Sequence, residues 1–492
     1  MTRRRYPIAL AAACAWLLAH HAPAVADVLT YHGAMNRSGH YVVPALTWER
    51  AGALRPDEKF RAKISGHVYA QPLFWRGGDP RRLVVATEDN VVQALDANTG
   101  AELWTRRLGG PVPRSSLPCG NINPLGVTGT PVIEESKQAV YLNAAVETRS
   151  GPRHLVFALS LKDGAVLPGW PVDVGEALAR RHQPFVAAAQ NQRGALAILA
   201  GRVFVPFGGH FGDCGDYHGI VVGIGLSDPT DVVSWATRAR GGGIWAPGGV
   251  ASDGRSLFAA TGNTFGASSF ADGEAVVRLG ADLRRSGDKR DLFAPSAWQA
   301  LDRRDADLGG TNPLPLDVPA DGGTKPLLLA LGKDRKAYLL DRNNLGGIDG
   351  SIAHATVAES AIITAPAAYP GQDGMLVAMH ATGAQCPAVR RGAGLLVLKI
   401  GTRPQPGVST AWCGAVRGAG APIVTTTDGH SNPIVWMLGA EGDNRLHGFR
   451  GDTGEPLFTG PPLSGLRHFQ TLIATEDRLY VAADGAVYAF GF

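Results

Sequence analysis

Several things are scarce in this sequence. Of 492 residues five are cysteine and five methionine, and 47 Lys and Arg against 43 Asp and Glu leave a formal net charge of +4. A balance that small on so long a chain gives no electrostatic footprint for nucleic acid. The Arg3-Arg4-Arg5 cluster is the one basic run that stands out. Beyond the N-terminus no stretch holds the roughly 18 consecutive apolar residues of a membrane-spanning helix. No amphipathic helix pattern recurs, and no Cys-x-x-Cys-His motif offers to attach a haem. What is present is 64 Gly, 33 Pro and 45% hydrophobic residues, the make-up of a large globular protein rich in turns.

The first residues read as an export signal. Arg3 to Arg5 give a positive n-region, Ile8 to Leu18 an apolar h-region, and Ala24-Val25-Ala26 a small-residue cleavage site. Residues 1–26 are therefore expected to be a signal peptide cleaved after Ala26, and residues 27–492 a single periplasmic or secreted domain. A lipoprotein site at Cys14 is the rival, but the apolar run continues past it through Ala15, Trp16, Leu17 and Leu18. Export gives meaning to the four remaining cysteines, since disulfides persist outside the reducing cytoplasm. Three pairings are available. Cys386 with Cys413, which flank the candidate strand GLLVLKIG, is favoured, and leaves Cys119 with Cys214; buried free thiols are the alternative. Cys214 lies among His210, Asp213, Asp216 and His218, residue types that bind metals, but their spacing matches no standard zinc pattern. A loop stapled by a disulfide is the simpler account.

One stretch organises the rest. Val91 to Arg107, VVQALDANTGAELWTRR, alternates apolar and polar residues, turns on Asp-Ala-Asn-Thr-Gly and resumes at Leu103 and Trp104. Asp96 and Asn98 can bond neighbouring backbone N–H groups, Gly100 can supply a positive φ, and Trp104 can cap one hairpin against the next. Such a hairpin cannot bury its own apolar face, so copies of it must stack. They are found. After the unit ending near Leu108 come GTPVIE with AVYLNAA and HLVFALSLKDGAV, then LAILAGRVFVPFGG with GIVVGIGLSD, then GGVASDGRSLFAATGN with AVVRLGADL. PLLLALGKDRKAYLLDRNNLGG, MLVAMH with GLLVLKIG, and IVWMLGAEGDNRLHGFRGDTGEPLF follow, and RLYVAADGAVYAFGF ends the chain short of strands.

Short alternating strands in eight units, separated by Gly, Asp and Asn turns, predict an all-β fold closed as an eight-bladed β-propeller. The weakly patterned residues 27–60, with a short strand around Val28 to Tyr31, can complete the last blade, so that no long edge is left open. A sandwich or open solenoid would leave the incomplete C-terminal unit unexplained. The repeat ALDANTGAELW resembles that of the pyrroloquinoline quinone (PQQ) family of quinoprotein propellers, and the resemblance covers essentially the whole mature chain. The family includes alcohol and sugar dehydrogenases and also non-catalytic outer-membrane assembly scaffolds.

On that resemblance, five residues match a dehydrogenase site. Trp245 in GGIW falls where a Trp stacks under the planar quinone, Asn263 in AATGN where an Asn binds calcium, and Asp307 in DADLGGTNP where the catalytic base lies. Lys333 in GKDRKAYLLDR takes the place of an Arg or Lys that bonds the quinone oxygens, and Thr128 in VTGTPV that of a cofactor-contacting Thr. Asn263 and Asp307 are the expected metal ligands, PQQ and calcium the expected cofactors, and Asp307 and Lys333 the expected catalytic pair. Residue chemistry agrees: a flat aromatic face suits a fused-ring cofactor, hard oxygens suit calcium, and a carboxylate beside an ammonium suits proton removal from a hydroxyl. Each residue also has a structural reading, as blade packing for Trp245, a tight turn for Asn263, a loop cap for Asp307 and a solvated turn for Lys333.

Two departures weigh against the dehydrogenase. The calcium-binding Glu of the family should fall near Thr148, and the nearest acid, Glu147, is one position off, on the opposite face of a strand. The family's adjacent-cysteine disulfide is missing, since Cys119 stands alone in LPCGN. Two functions are therefore expected in turn. The first is an exported PQQ- and calcium-dependent dehydrogenase acting on a small alcohol or sugar-like hydroxyl, with a separate electron acceptor. The second is a non-catalytic propeller that binds an envelope protein or polysaccharide.

Overall fold

The computed structural model describes residues 27–387 and 393–492. The expected signal peptide, its cleavage site and Cys14 lie outside the described residues. The hairpin Val91–Asp96 and Glu102–Arg107 forms as the sequence predicts. Asp96 Oδ1 accepts the backbone N–H groups of Asn98, at 2.7 Å, and Thr99, at 3.3 Å, and Gly100 closes the turn at φ +78. Asn98 departs from expectation, its side-chain oxygen accepting from the Arg81 guanidinium at 2.8 Å instead. Trp104 is 8% exposed, and its indole N–H donates to the Leu161 carbonyl of the next unit at 3.0 Å. Gly164 makes room for that ring: a Cβ there would stand 2.5 Å from Trp104.

Eight such sheets follow one another along the chain, spanning 73–107, 132–173, 190–236, 251–294, 314–356, 367–414, 423–462 and 473–491. They are the eight blades of an all-β propeller, and the apolar clusters lie between successive blades. One cluster joins Leu73, Val84 and Trp104 of blade 1 to Val140, Leu142 and Phe157 of blade 2. The Trp lid recurs at Trp412 of blade 6, whose indole N–H donates to Gly451 O in blade 7 at 2.8 Å.

Blade 8 has three strands of its own, and Arg55–Pro56 and Ala62–Lys63 pair with the outermost, Ala486–Gly491, to supply the fourth. The N-terminal segment thus closes the ring, and Tyr480 of blade 8 donates its hydroxyl to Ala97 O in the blade 1 turn at 2.6 Å. The residues before it do something the sequence did not suggest. Rather than forming a strand from Val28 to Tyr31, they run across the inner edges of the blades. Val28 bridges Phe74 of blade 1, Leu29 O accepts from Ile133 N in blade 2, Met35 O from Ser252 N in blade 4 and Ser38 O from Ala368 N in blade 6, and His40–Val42 pairs parallel with Ile423–Thr426 of blade 7. The fully buried Arg37 guanidinium donates to the carbonyls of Leu196 and Val250, of blades 3 and 4. Inner edges with free N–H and C=O groups are costly when buried, and this segment satisfies them.

Both favoured disulfides are present, Cys119–Cys214 and Cys386–Cys413. The helices are short, Trp48–Gly52, Val174–Ala179 and Trp298–Asp302, and among the described residues none is long and apolar enough to cross a membrane.

Candidate functional site

The turns joining blades 3, 4 and 5 bring four of the five predicted residues together. Trp245 lies on the connection into blade 4, Asn263 just past the strand Leu257–Ala260, Asp307 on the connection into blade 5, and Lys333 just past the strand Gly323–Leu331. Asp307 is the hub. It is 2% exposed, and its Oδ1 accepts the Asn263 backbone N–H at 2.9 Å. Its Oδ2 accepts the Trp245 indole N–H at 3.1 Å and lies 2.8 Å from the Lys333 ammonium. The Asp307 carbonyl accepts the Lys333 backbone N–H at 2.8 Å, which fixes the two main chains as well as the two side chains. Gly262 permits the approach, since a Cβ there would meet Asp307 Oδ1 at 3.0 Å.

The electrostatics are those of too many carboxylates around one ammonium. Burial raises the Asp307 carboxyl above the usual range, partly offset by Lys333. Glu274 is raised well above its ordinary value by burial and then by Asp307; its Oε2 accepts the Leu308 N–H at 2.6 Å, and its Oε1 is buried without a partner. Lys333 also holds the exposed Asp305 at 2.6 Å. Burial works against its charge, but the two aspartates prevail and the ammonium is held above its ordinary pKa. Its Nζ stands 5.2 Å from the centre of the Trp245 ring. Buried carboxylates and an ammonium that shift one another make this cluster a candidate site.

These four residues line a cavity of about 540 Å³. Trp245 is only partly covered, so its ring opens onto that space. Thr128 does not reach it; it lines a small adjoining recess with Tyr31 and Tyr69. Cavity and recess share Arg193, His468 and Phe469, which sequence reasoning missed. His468 and Phe469 belong to the loop entering blade 8 and lie some 275 residues from Arg193, a proximity no local pattern carries. Arg193 had a faint signal, as it ends the polar run Gln190-Asn191-Gln192-Arg193 just before the apolar strand Ala197–Leu199. A second recess of about 860 Å³ at the rim is lined by Trp48 and Lys399, but the Trp48 ring is already covered by Arg450 at 3.8 Å.

Neither Thr148 nor Glu147 lines the cavity; Thr148 borders a surface depression with Arg149 and Arg153. Blade 3 lines the cavity from Gly209 to Asp213, in a loop tied to Cys119 by Cys214. His218 Nε2 of that loop lies 3.9 Å from Asp216 Oδ1, but among the described residues no three of its histidines and aspartates come together as a metal would need. His210 bonds Ala188 O, Tyr217 donates to Asp213, and His218 bonds Thr237 O.

A quinone fits these residues better than calcium does. Trp245 offers a partly open indole face beside an ammonium, in a space large enough for a fused tricyclic acid. Calcium takes about six to eight oxygens. Asn263 and Asp307 lie side by side, but Asp307 is already shared among three donors, and among the described residues no group of three His, Cys, Asp or Glu is placed to hold a metal.

Solved structures share the architecture. The quinohemoprotein alcohol dehydrogenase of Comamonas testosteroni is 15% identical, with a TM-score of 0.65 over 94% of this chain and 80% of that one. The quinohemoprotein alcohol dehydrogenase ADHIIG of Pseudomonas putida HK5 is 13% identical, with a TM-score of 0.64 over 94% and 79%. A europium-containing methanol dehydrogenase is 13% identical, with a TM-score of 0.63 over 95% and 98%. The likeness is one of fold. No protein-family model matches the chain, and no curated protein matches it in sequence.

Proposed function

We propose that this chain is an exported quinoprotein-type oxidoreductase that holds PQQ against Trp245 and oxidises a small alcohol or sugar-like hydroxyl. The observation that carries the reading is the buried Asp307 carboxylate, held at the cavity wall between an indole N–H, a backbone N–H and an ammonium. When bound, PQQ supplies the acceptor for the hydride. The chain's own residues do the rest. Trp245 gives the ring a floor, and Lys333 places positive charge beside it. Asp307, kept more basic than an ordinary carboxylate by burial, takes the hydroxyl proton. Lys333 stabilises the negative oxygen that develops. Asn263 and Asp307 are the residues that a calcium ion would meet, and by themselves they are too few to hold one. The two disulfides agree with an oxidising compartment, and a chain without a haem motif must pass electrons to a separate acceptor.

The test is reconstitution. Purified protein given PQQ and calcium is expected to take up the cofactor's absorbance and to reduce an artificial dye with some primary alcohol or aldose. Asp307→Asn keeps the absorbance and loses turnover. Failure to bind PQQ sinks the reading and leaves the non-catalytic propeller that binds an envelope protein or polysaccharide.

A further inference from the structure

Among the described residues no carboxylate is in direct ion-pair contact with Arg193, whose side-chain nitrogen goes to a histidine instead. Arg193 leaves the entry to blade 3 and reaches the loop before blade 8, where its guanidinium lies 4.5 Å from the centre of the Phe469 ring. One of its nitrogens donates to His468 Nε2 at 3.1 Å. That bond fixes the tautomer: Nε2 accepts, so Nδ1 carries the proton and donates to Glu441 Oε1 at 2.8 Å. The chain Glu441–His468–Arg193 therefore aims the guanidinium through a neutral ring, and burial holds His468 below its ordinary pKa, as that tautomer requires. Glu88 is the other acid near enough to act on Arg193. It is fully buried, with Oε2 taken by the Gly126 N–H at 2.6 Å and Oε1 without a partner, and burial pushes its carboxyl up to about 7. It neutralises Arg193 only in part. Burial in turn brings the guanidinium down to about 10.

Arg193 lines both the cavity and the adjoining recess, and the planar fork of a guanidinium matches a carboxylate in two parallel bonds. The station shares no contact with Asp307, whose partners all come from the turns of blades 3 to 5. We propose that Arg193 is the anion-binding group of this cavity and that its ligand carries a carboxylate at this second station. Glu441 and His468 are positioning residues. The assignment deepens the quinone reading by naming the chemistry of the ligand's other end, but it also stands without it. A carboxylate arrives here from one of two sources: the carboxylated cofactor itself, or an acidic hydroxylated substrate of the uronate kind.

The experiment pairs each acid with its uncharged derivative and reads quenching of tryptophan fluorescence. The probes are PQQ against its trimethyl ester and glucuronate against glucuronamide, on the wild type and on Arg193→Gln and Arg193→Lys. A preference for the acid that falls at least tenfold in Arg193→Gln and partly returns in Arg193→Lys supports the proposal. If it is seen with PQQ, the carboxylate is the cofactor's. If it is seen with glucuronate alone, the carboxylate is the substrate's, and the assignment holds while the quinone reading fails. Thermal unfolding of the same variants separates this role from a structural one: an acid preference lost while the midpoint stays unchanged supports the proposal, and one lost only together with the fold overturns it. Equal affinity for acid and uncharged derivative, acid binding indifferent to Arg193→Gln, or no binding of either acid overturns it.

Discussion

Trp104 and Trp245 use the same donor for different ends. Each indole N–H is satisfied, Trp104 by the Leu161 carbonyl at 3.0 Å and Trp245 by the Asp307 carboxylate at 3.1 Å. Trp104 ends on backbone of the next blade, is covered, and presses on a glycine turn. Trp245 ends on a titratable group, opens onto a cavity, and has an ammonium beside its ring. Of these two indoles, the one that joins blades ends on a group whose charge cannot change, and the one at the cavity ends on a group whose charge can. Substitutions around the two should therefore fail in different ways.

The largest effect is expected at the centre. Asp307→Asn should lower turnover of the reconstituted protein by roughly a thousandfold, about 4 kcal/mol at the transition state, while shifting the unfolding midpoint little. The pH dependence follows the same group. A base must be ionised, and burial raises this one, so kcat/KM should climb through a pKa above the ordinary carboxylate range. A profile flat from pH 4 upward contradicts that. In the wall, Trp104→Ala should cost about 3–4 kcal/mol in denaturant unfolding and leave PQQ affinity intact, because it empties an inter-blade cluster and orphans a carbonyl. Loss of Cys386–Cys413, which closes a loop of 27 residues, should cost about 3 kcal/mol, again without touching the site.

Glu88 tests the boundary between wall and centre, since a buried acid there holds the Gly126 N–H of the next blade. Its folded pKa, about 7, lies above the unfolded value of 4.5, so the folded state binds its proton more tightly. That contribution to stability is whole below pH 4.5 and is lost as pH rises through 7. Glu88→Gln should accordingly match the wild type at pH 4 and exceed it by about 2–3 kcal/mol at pH 8, by urea unfolding at the two pH values. Equal stability at both would show that Glu88 is not a titrating member of the scaffold.

The wall was legible in the sequence because its signals are local. Asp96 and Gly100 mark a turn within five residues, strand alternation sets the blades, and the strand shortage at the C-terminus announced a closure that Arg55–Pro56 and Ala62–Lys63 supply. The path of residues 28–43 was not legible, because that segment is held by backbone contacts to the inner strands and by Arg37, and neither leaves a period. At the centre, Trp245, Asn263, Asp307 and Lys333 could be found because a resemblance fixed their intervals; the structure brings them within hydrogen-bond reach of one carboxylate. Thr128 falls one recess away, and no acid from Glu147 or Thr148 reaches the cavity. The meeting of Arg193 and His468 was not legible, since it depends on ring closure rather than on any spacing along the chain.

Whether the cavity beside Trp245 takes up a quinone is read by titrating the purified protein with PQQ and following both cofactor absorbance and tryptophan quenching in the wild type, Trp245→Ala and Trp104→Phe. Saturation at one PQQ per chain, abolished by Trp245→Ala and retained by Trp104→Phe, is the predicted result. No saturable binding, or binding that survives Trp245→Ala unchanged, would contradict it.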